Sequence, residues 1–157
     1  MRKKIMLRSD SPQKTKRIGS LLGKSLPSGA VVALRGKLGA GKTTMVKGLA
    51  KGLGVKSEKI VSSPTFVLIH EYEGRRKVYH LDWYRLRRVE GADEAMAEEC
   101  FASGGVTLVE WPERGRSLLP PDSFSIQLSH RGPRLRAITL SFPSAPAPSL
   151  LKALKKI

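Results

Sequence analysis

The sequence has little cysteine, few aromatic residues and no asparagine. Of its 157 residues only Cys100 is a cysteine, and 6% are aromatic. One cysteine excludes an intramolecular disulfide and a zinc ribbon, which needs several thiolates. Without asparagine the chain cannot present the Asn-Lys-x-Asp motif that reads guanine, which argues against a regulatory GTPase.

Long hydrophobic runs are also missing. No apolar run approaches the roughly 18 residues needed to span a membrane, and no signal-peptide core follows the basic start Met1-Arg2-Lys3-Lys4. We therefore expect a cytoplasmic protein without a membrane partner. The length fits one domain, which we predict at 1–142, followed by a proline-rich spacer and basic C-terminal tail at 143–157. Within this tail, 150–157 is either a short basic helix or a frayed end.

Acidic residues are scarce compared with basic ones. The chain has 29 Lys and Arg against 13 Asp and Glu, a net charge of +16, and no acid follows Asp122. Such a field attracts polyanions over a Debye length of about 8 Å at physiological salt. Two interpretations stay open: a nucleic-acid partner, or a composition bias or solvated surface without a specific partner.

The segment from Gly36 to Thr43, Gly-Lys-Leu-Gly-Ala-Gly-Lys-Thr, has the pattern of a phosphate-binding loop. Glycines allow positive φ, so consecutive N–H groups can converge on phosphate oxygens at a helix N-terminus. Lys42 would add charge at the β- and γ-phosphates, and Thr43 a hydroxyl for Mg²⁺. The predicted nucleotide-binding residues here are Leu38, Gly39, Ala40, Gly41, Lys42, Thr43 and Thr44.

The flanks of this loop favour the functional interpretation over an ordinary glycine-rich turn. The apolar run 31–34 precedes it, and apolar residues recur at helical spacing from Met45 to Leu53. Further segments predict helices from Ser11-Pro12 and over 92–102, a strand at 106–109, and hairpins at 66–81 and 124–142. The sum is an α/β fold of P-loop NTPase type, a mostly parallel sheet flanked by helices, with added antiparallel edge strands.

Two acids end predicted strands and are suited to hold Mg²⁺ or orient water. Glu110 follows a continuously apolar strand, which favours it as the Walker-B-like group, and Asp82 follows the second strand of the first hairpin. For each, a strand-end acid facing solvent is the alternative. Lys42, Asp82 and Glu110 are the predicted catalytic residues, and Thr43 and Glu110 the predicted metal ligands. Which acid binds the metal directly stays open.

Other candidates near these acids have two interpretations each. Thr65 is either a γ-phosphate or Mg²⁺ contact or a capping hydroxyl in a turn. His80, Arg85 and Arg114 either neutralise phosphate charge or form structural ion pairs. The remaining candidates are the aromatics Trp83, Tyr84 and Trp111, which either pack against the core or stack on adenine or a partner.

Four segments together resemble the TsaE (YjeE) family. They are Gly36–Thr44, Ser63-Pro-Thr-Phe66 with Glu71-Tyr72, His80-Leu-Asp-Trp-Tyr-Arg-Leu86 and Val109-Glu-Trp-Pro-Glu-Arg114, in family order. The resemblance implies a small cytoplasmic ATPase needed to make N6-threonylcarbamoyladenosine in tRNA. It also implies a TsaB–TsaD heterodimer as partner, whose turnover ATP hydrolysis resets or sustains.

The resemblance assigns Lys42 and Thr43 to nucleotide and metal, Thr65 to a switch-like loop, Asp82 and Glu110 to the functional acids, and Trp111 to the side of the site. The chain departs from the family at Lys37, where an acid or amide is usual, at Trp83, where leucine is common, and in its basic ends. None of these departures removes a predicted ligand.

Two further functions compete with this one. A small-molecule kinase would use a basic lid, for which Arg75, Arg76 and Lys77 are candidates. A nucleic-acid-binding module with a vestigial ATP site would have aromatics interleaved with its basic ends, and there they are scarce.

Overall fold

The computed structural model describes residues 2–62 and 68–157. The α-helices and strands, in chain order, are β1 (Lys3–Ser9), α1 (Pro12–Ser25), β2 (Val31–Arg35), α2 (Lys42–Gly52), β3 (Ile69–Glu73), β4 (Lys77–Asp82), α3 (Ala92–Ala102), β5 (Val106–Glu110), β6 (Phe124–His130), β7 (Arg136–Phe142) and α4 (Pro148–Lys155). Short 3-10 helices cover Glu58–Ile60 and Pro112–Leu118. No helix in the described ranges is long and apolar enough to cross a membrane.

The seven strands of the described residues form one sheet in the order β1-β7-β6-β2-β5-β4-β3. The central strands β6, β2, β5 and β4 run parallel, whereas β7, β1 and β3 pair antiparallel at the two sides. The predicted α/β fold with a mostly parallel centre and antiparallel edges is confirmed. Parallel strands end at the same sheet edge, so the loop after β2 meets the acids that end β4 and β5.

Helices pack on both faces of the sheet, and a hydrophobic cluster lies on each face. The larger cluster includes Ile18 of α1, Leu49 of α2 and Leu154 of α4. The smaller one contains Trp83, Val109 and side chains of α3. Of the two alternatives for 150–157, the structure has the short helix, and this helix packs on the larger cluster.

The first two helices position the phosphate loop. Helix α1 begins as predicted, with Pro12 in its first turn and the Ser11 hydroxyl accepting a hydrogen bond from the Lys14 amide at 3.1 Å. Glycines allow α1 and α2 to touch backbone to backbone: a Cβ added to Gly48 would lie 2.3 Å from the Lys16 carbonyl oxygen. This contact fixes α2, and hence the loop at its N-terminus, against the sheet.

Strand β1 was not predicted from the sequence. Ile5 and Leu7 pack against the larger cluster, while the intervening Lys4, Met6 and Arg8 are exposed. Apolar and exposed residues alternate as in a strand, but only Ile5 and Leu7 show this pattern within a strongly basic segment. Pairing with β7 at the sheet edge therefore decides the strand.

Candidate functional site

The predicted phosphate loop connects β2 to α2, and its glycines adopt the positive φ angles expected from the sequence. Gly39 and Gly41 have φ of +77° and +104°, which residues with a Cβ rarely adopt. Gly41 caps α2 and supplies no side-chain acceptor to the first helical turn. The amides at this end, together with the helix dipole, therefore suit an anion.

Lys42 is the central cation of the loop and is only 5% exposed. Its Nζ donates hydrogen bonds to the carbonyl oxygens of Gly36 and, at 3.0 Å, Lys37, and lies 4.3 Å from the centre of the Trp111 ring. Burial lowers the pKa of the Lys42 ammonium, and the nearby Glu110 carboxylate opposes that shift. The charge is thus held by dipoles and a ring face, and a phosphate oxygen would be a stronger partner.

Glu110 joins the loop to the neighbouring strand. Its Oε1 lies 3.2 Å from Thr43 Oγ1 and 2.9 Å from His80 Nε2. An ionised carboxylate only accepts hydrogen bonds, so both neighbours donate to the same oxygen. On the far side of the imidazole, the Tyr72 hydroxyl lies 3.4 Å from His80 Nδ1, and burial raises the pKa of that phenol. The Glu110 carboxylate is therefore oriented from within the protein.

Asp82 lies directly beside Glu110 because the two residues pair in register at the ends of β4 and β5. It is buried, and its Oδ1 accepts a hydrogen bond from the Tyr84 amide at 2.9 Å. Both acids thus lie at the loop edge of the sheet, as expected from strand direction, and neither is the solvent-facing acid of the alternative interpretation.

A cavity of about 400 Å³ brings most of the predicted residues together. Its lining consists of Leu38, Gly39, Gly41, Lys42, Thr43, Thr44, Asp82, Tyr84, Glu110 and Trp111. The Thr43 hydroxyl and the two carboxylates are oxygen donors, which Mg²⁺ prefers, so these residues fit that ion. Thr65 lies outside the described residues.

A second cavity, of about 470 Å³, flanks the other side of the loop. It is lined by Ala40, by Ser11 and Thr15 at the start of α1, and by Arg136. Arg136 Nε donates a hydrogen bond to the Ala40 carbonyl oxygen at 3.2 Å. Of these residues only Ala40 was predicted from the sequence, because Ser11 was interpreted as a helix cap and neither Thr15 nor Arg136 belongs to a recognisable motif. The strand pairing of β1 with β7 brings these distant segments to the loop.

The aromatic candidates divide between core and site. Trp83 is buried in the smaller cluster, as its packing interpretation predicts. Trp111 adopts a left-handed backbone, φ +57°, which is uncommon for a residue with a side chain. Its ring centre lies 4.8 Å from that of the exposed Tyr84. Trp111 thus lies over Lys42 at the cavity wall, beside a solvent-facing aromatic.

The basic candidates lie in several places. His80 is bonded to Glu110, as described, while Arg85 is exposed and Arg114 lines a neighbouring cavity with Lys37 and Glu113.

The proposed kinase lid lies far from the loop. Arg75 donates to the Gly52 carbonyl oxygen at 2.7 Å, and Lys77 pairs with Glu71 at 3.3 Å. Gly52 ends α2, about 16 Å of helix from the loop, so this hairpin is not placed to cover phosphates.

Residues 9–138 match the family model "Threonylcarbamoyl adenosine biosynthesis protein TsaE". Relatives named "tRNA threonylcarbamoyladenosine biosynthesis protein TsaE" include one from Treponema pallidum, 44% identical over 133 residues that cover 85% of this chain and 97% of the relative. A Bacillus subtilis relative of the same name is 39% identical over 140 residues, which cover 88% of this chain and 86% of the relative. The crystal structure of Bacillus subtilis YdiB superposes with a TM-score of 0.79 at 35% identity, covering 99% of this chain and 97% of YdiB.

Proposed function

The chain belongs to the TsaE family of tRNA threonylcarbamoyladenosine biosynthesis proteins, and on that premise we propose that it is a Mg²⁺-dependent ATPase. Its hydrolysis of ATP would activate or reset a TsaB–TsaD complex. The observation that carries this proposal is the meeting of Lys42, Thr43, Asp82 and Glu110 in one cavity beside an uncapped helix N-terminus.

Each of these groups has a part in the proposed reaction. The loop amides and Lys42 bind the β- and γ-phosphates of ATP and balance their charge. Thr43 and Glu110 would hold the metal, which when bound would neutralise charge on the phosphoryl oxygens. Asp82, fixed by the Tyr84 amide, orients the water that attacks the γ-phosphate. Phosphoryl transfer of this kind depends on positioning and charge neutralisation rather than on covalent catalysis.

The second cavity supports the same proposal, because it adjoins the loop through Gly39, Gly41 and Thr44. Its Ser11, Thr15 and Arg136 offer polar contacts to a nucleoside whose phosphates lie on the loop.

We propose that the TsaB–TsaD partner completes this site. Leu38 at the tip of the loop is 70% exposed, and Tyr84 beside Trp111 is 41% exposed. Exposed apolar and aromatic side chains next to a catalytic cavity favour a protein contact. Slow turnover of the isolated chain and faster turnover with TsaB–TsaD are therefore expected.

ATP turnover tests this proposal when measured for the chain alone and with a TsaB–TsaD pair from the same source. Glu110→Ala should bind ATP but lose hydrolysis, whereas Lys42→Ala should impair both. Lys51→Ala, on the exposed face at the other end of α2, is the matched control and should resemble the wild type. Unchanged turnover in the Lys42 or Glu110 variant would contradict the site assignment, and phosphorylation of nucleosides or small alcohols would favour the kinase instead.

A further inference from the structure

The half of the sheet formed by β6, β7 and β1 has a polar surface on the face opposite α1, α2 and α4. Strand register aligns Lys4 with Ser141, and Ser141 with Ser125. In the next row of this face, Thr139 pairs with Gln127. Because side chains alternate along a strand, these residues face away from the larger hydrophobic cluster. This face offers hydroxyls and an amide, and at its outer edge the exposed Met6 of β1, which pairs with Thr139.

Four cations surround this surface and form with it a groove of about 590 Å³, here called the basic groove. They are Arg2, Lys4, Arg35 and Arg116. Arg2 donates to the carbonyl oxygens of Ser123 and Pro121, at 2.7 Å each, and Arg35 donates to Ser125 Oγ at 2.7 Å. Neutral oxygens therefore hold two of the guanidinium groups in place without cancelling their charge.

Acidic residues are missing from the described lining of the basic groove. In the sequence, β1, β2, β6 and β7 contain neither Asp nor Glu. Asp122, the acid nearest to β6 in the chain, lines a different cavity with Gly29 and Pro143. The groove therefore has a positive potential that favours a polyanion.

The side chains that line the basic groove also indicate which kind of partner it binds. Protein interfaces are anchored by aromatic residues, and single-stranded nucleic acids stack their bases on them. The described lining contains no aromatic side chain. Double-stranded RNA is instead recognised by shape, through phosphates and 2′-hydroxyls, which suit fixed guanidinium groups and side-chain hydroxyls.

We infer that the basic groove binds the sugar–phosphate backbone of a double-stranded RNA stem, such as an arm of tRNA. The contacts are to backbone rather than to bases, so binding depends on duplex form more than on sequence. The groove shares no residue with the proposed nucleotide cavity, and this inference does not rest on ATP hydrolysis.

The test is fluorescence anisotropy with a labelled RNA duplex of about 16 base pairs, the length that one double-stranded-RNA-binding domain spans. The double variant Lys4→Gln with Arg116→Gln removes two groove cations. The control, Lys152→Gln with Lys156→Gln, removes two exposed cations from the end of α4. Thermal unfolding curves of both variants should be measured to check that each variant is folded.

Loss of two phosphate contacts should weaken binding of the groove variant by roughly 10- to 30-fold at 0.15 M salt, from about 0.7 to 0.9 counterion released per contact. For the groove variant, the slope of log affinity against log salt concentration should be smaller in magnitude by about two. The control should match the wild type. The inference is overturned if the wild type does not bind, if both variants lose affinity equally, or if the single strand binds more tightly. Normal duplex affinity combined with weakened TsaB–TsaD binding would assign the groove to an acidic protein surface instead.

Discussion

His80 Nε2 lies 2.9 Å from Glu110 Oε1, and both side chains are buried, at 0% and 3% exposure. The two residues lie on adjacent parallel strands, His80 opposite Leu108, which places them diagonally on one face of the sheet. The imidazole thus orients the carboxylate that also accepts from Thr43.

Removing this imidazole should affect stability and turnover together. We expect His80→Ala to lower the free energy of unfolding by roughly 1 to 3 kcal/mol, because it leaves a buried carboxylate without one donor. ATP turnover should fall while ATP binding is kept. Urea unfolding and nucleotide titration measure the two effects. His80→Gln, which retains an N–H donor, should recover part of the turnover, and equal turnover in all three proteins would argue against an orienting role.

The close contact of α1 and α2 makes Gly48 sensitive to a single methyl group. Gly48→Ala would bring a Cβ to 2.3 Å from a carbonyl oxygen and 2.8 Å from the Cα of Lys16. We expect a loss of about 1 to 3 kcal/mol in unfolding free energy, from overpacking against backbone that cannot rotate away. Lys51→Ala in the same helix is the control, and should change stability by less than about 0.5 kcal/mol. A more stable Gly48→Ala protein would show that the helices can separate at no cost.

Helix α4 provides a test of the domain boundary predicted at residue 142. Leu150 and Leu154 are buried in the larger cluster. Leu154→Ala should lower the unfolding free energy by about 2 to 5 kcal/mol, through lost apolar contact and the cavity left behind. Lys152→Ala, exposed on the same helix, should be nearly neutral. If chemical denaturation gives equal values for both variants, 143–157 behaves as a dispensable tail.

Cys100 should resist thiol reagents in the native state. Burial, with smaller contributions from Glu71 and Glu99, raises the pKa of its thiol to about 11. The thiolate is the reactive form, so at pH 8 its fraction should be about 100-fold below that of an exposed thiol with a pKa of 9.0. Rates of iodoacetamide alkylation in buffer and in urea measure the difference. Equal rates would mean that the smaller cluster opens readily.

Sequence reasoning predicts a site best when its residues are close together in the chain. The phosphate loop needs glycines, a lysine and a threonine within eight positions, so its pattern can be recognised without a fold. Asp82 and Glu110 could be placed at a common edge because each ends a strand and parallel strands end together. The role of His80 could not be assigned in the same way, since it depends on which strands are neighbours and in what register.

The sequence by itself determined the local features: the loop, the start of α1, the α/β alternation and the excess of positive charge. The tertiary structure alone decided that β1 joins β7, that α4 covers the core, that Trp83 is buried while Trp111 lies over Lys42, and that basic residues from both halves of the chain meet in one groove. The reason is physical. Propensity and periodicity act between residues a few positions apart, whereas strand order and register join residues as distant as Lys3 and Phe142.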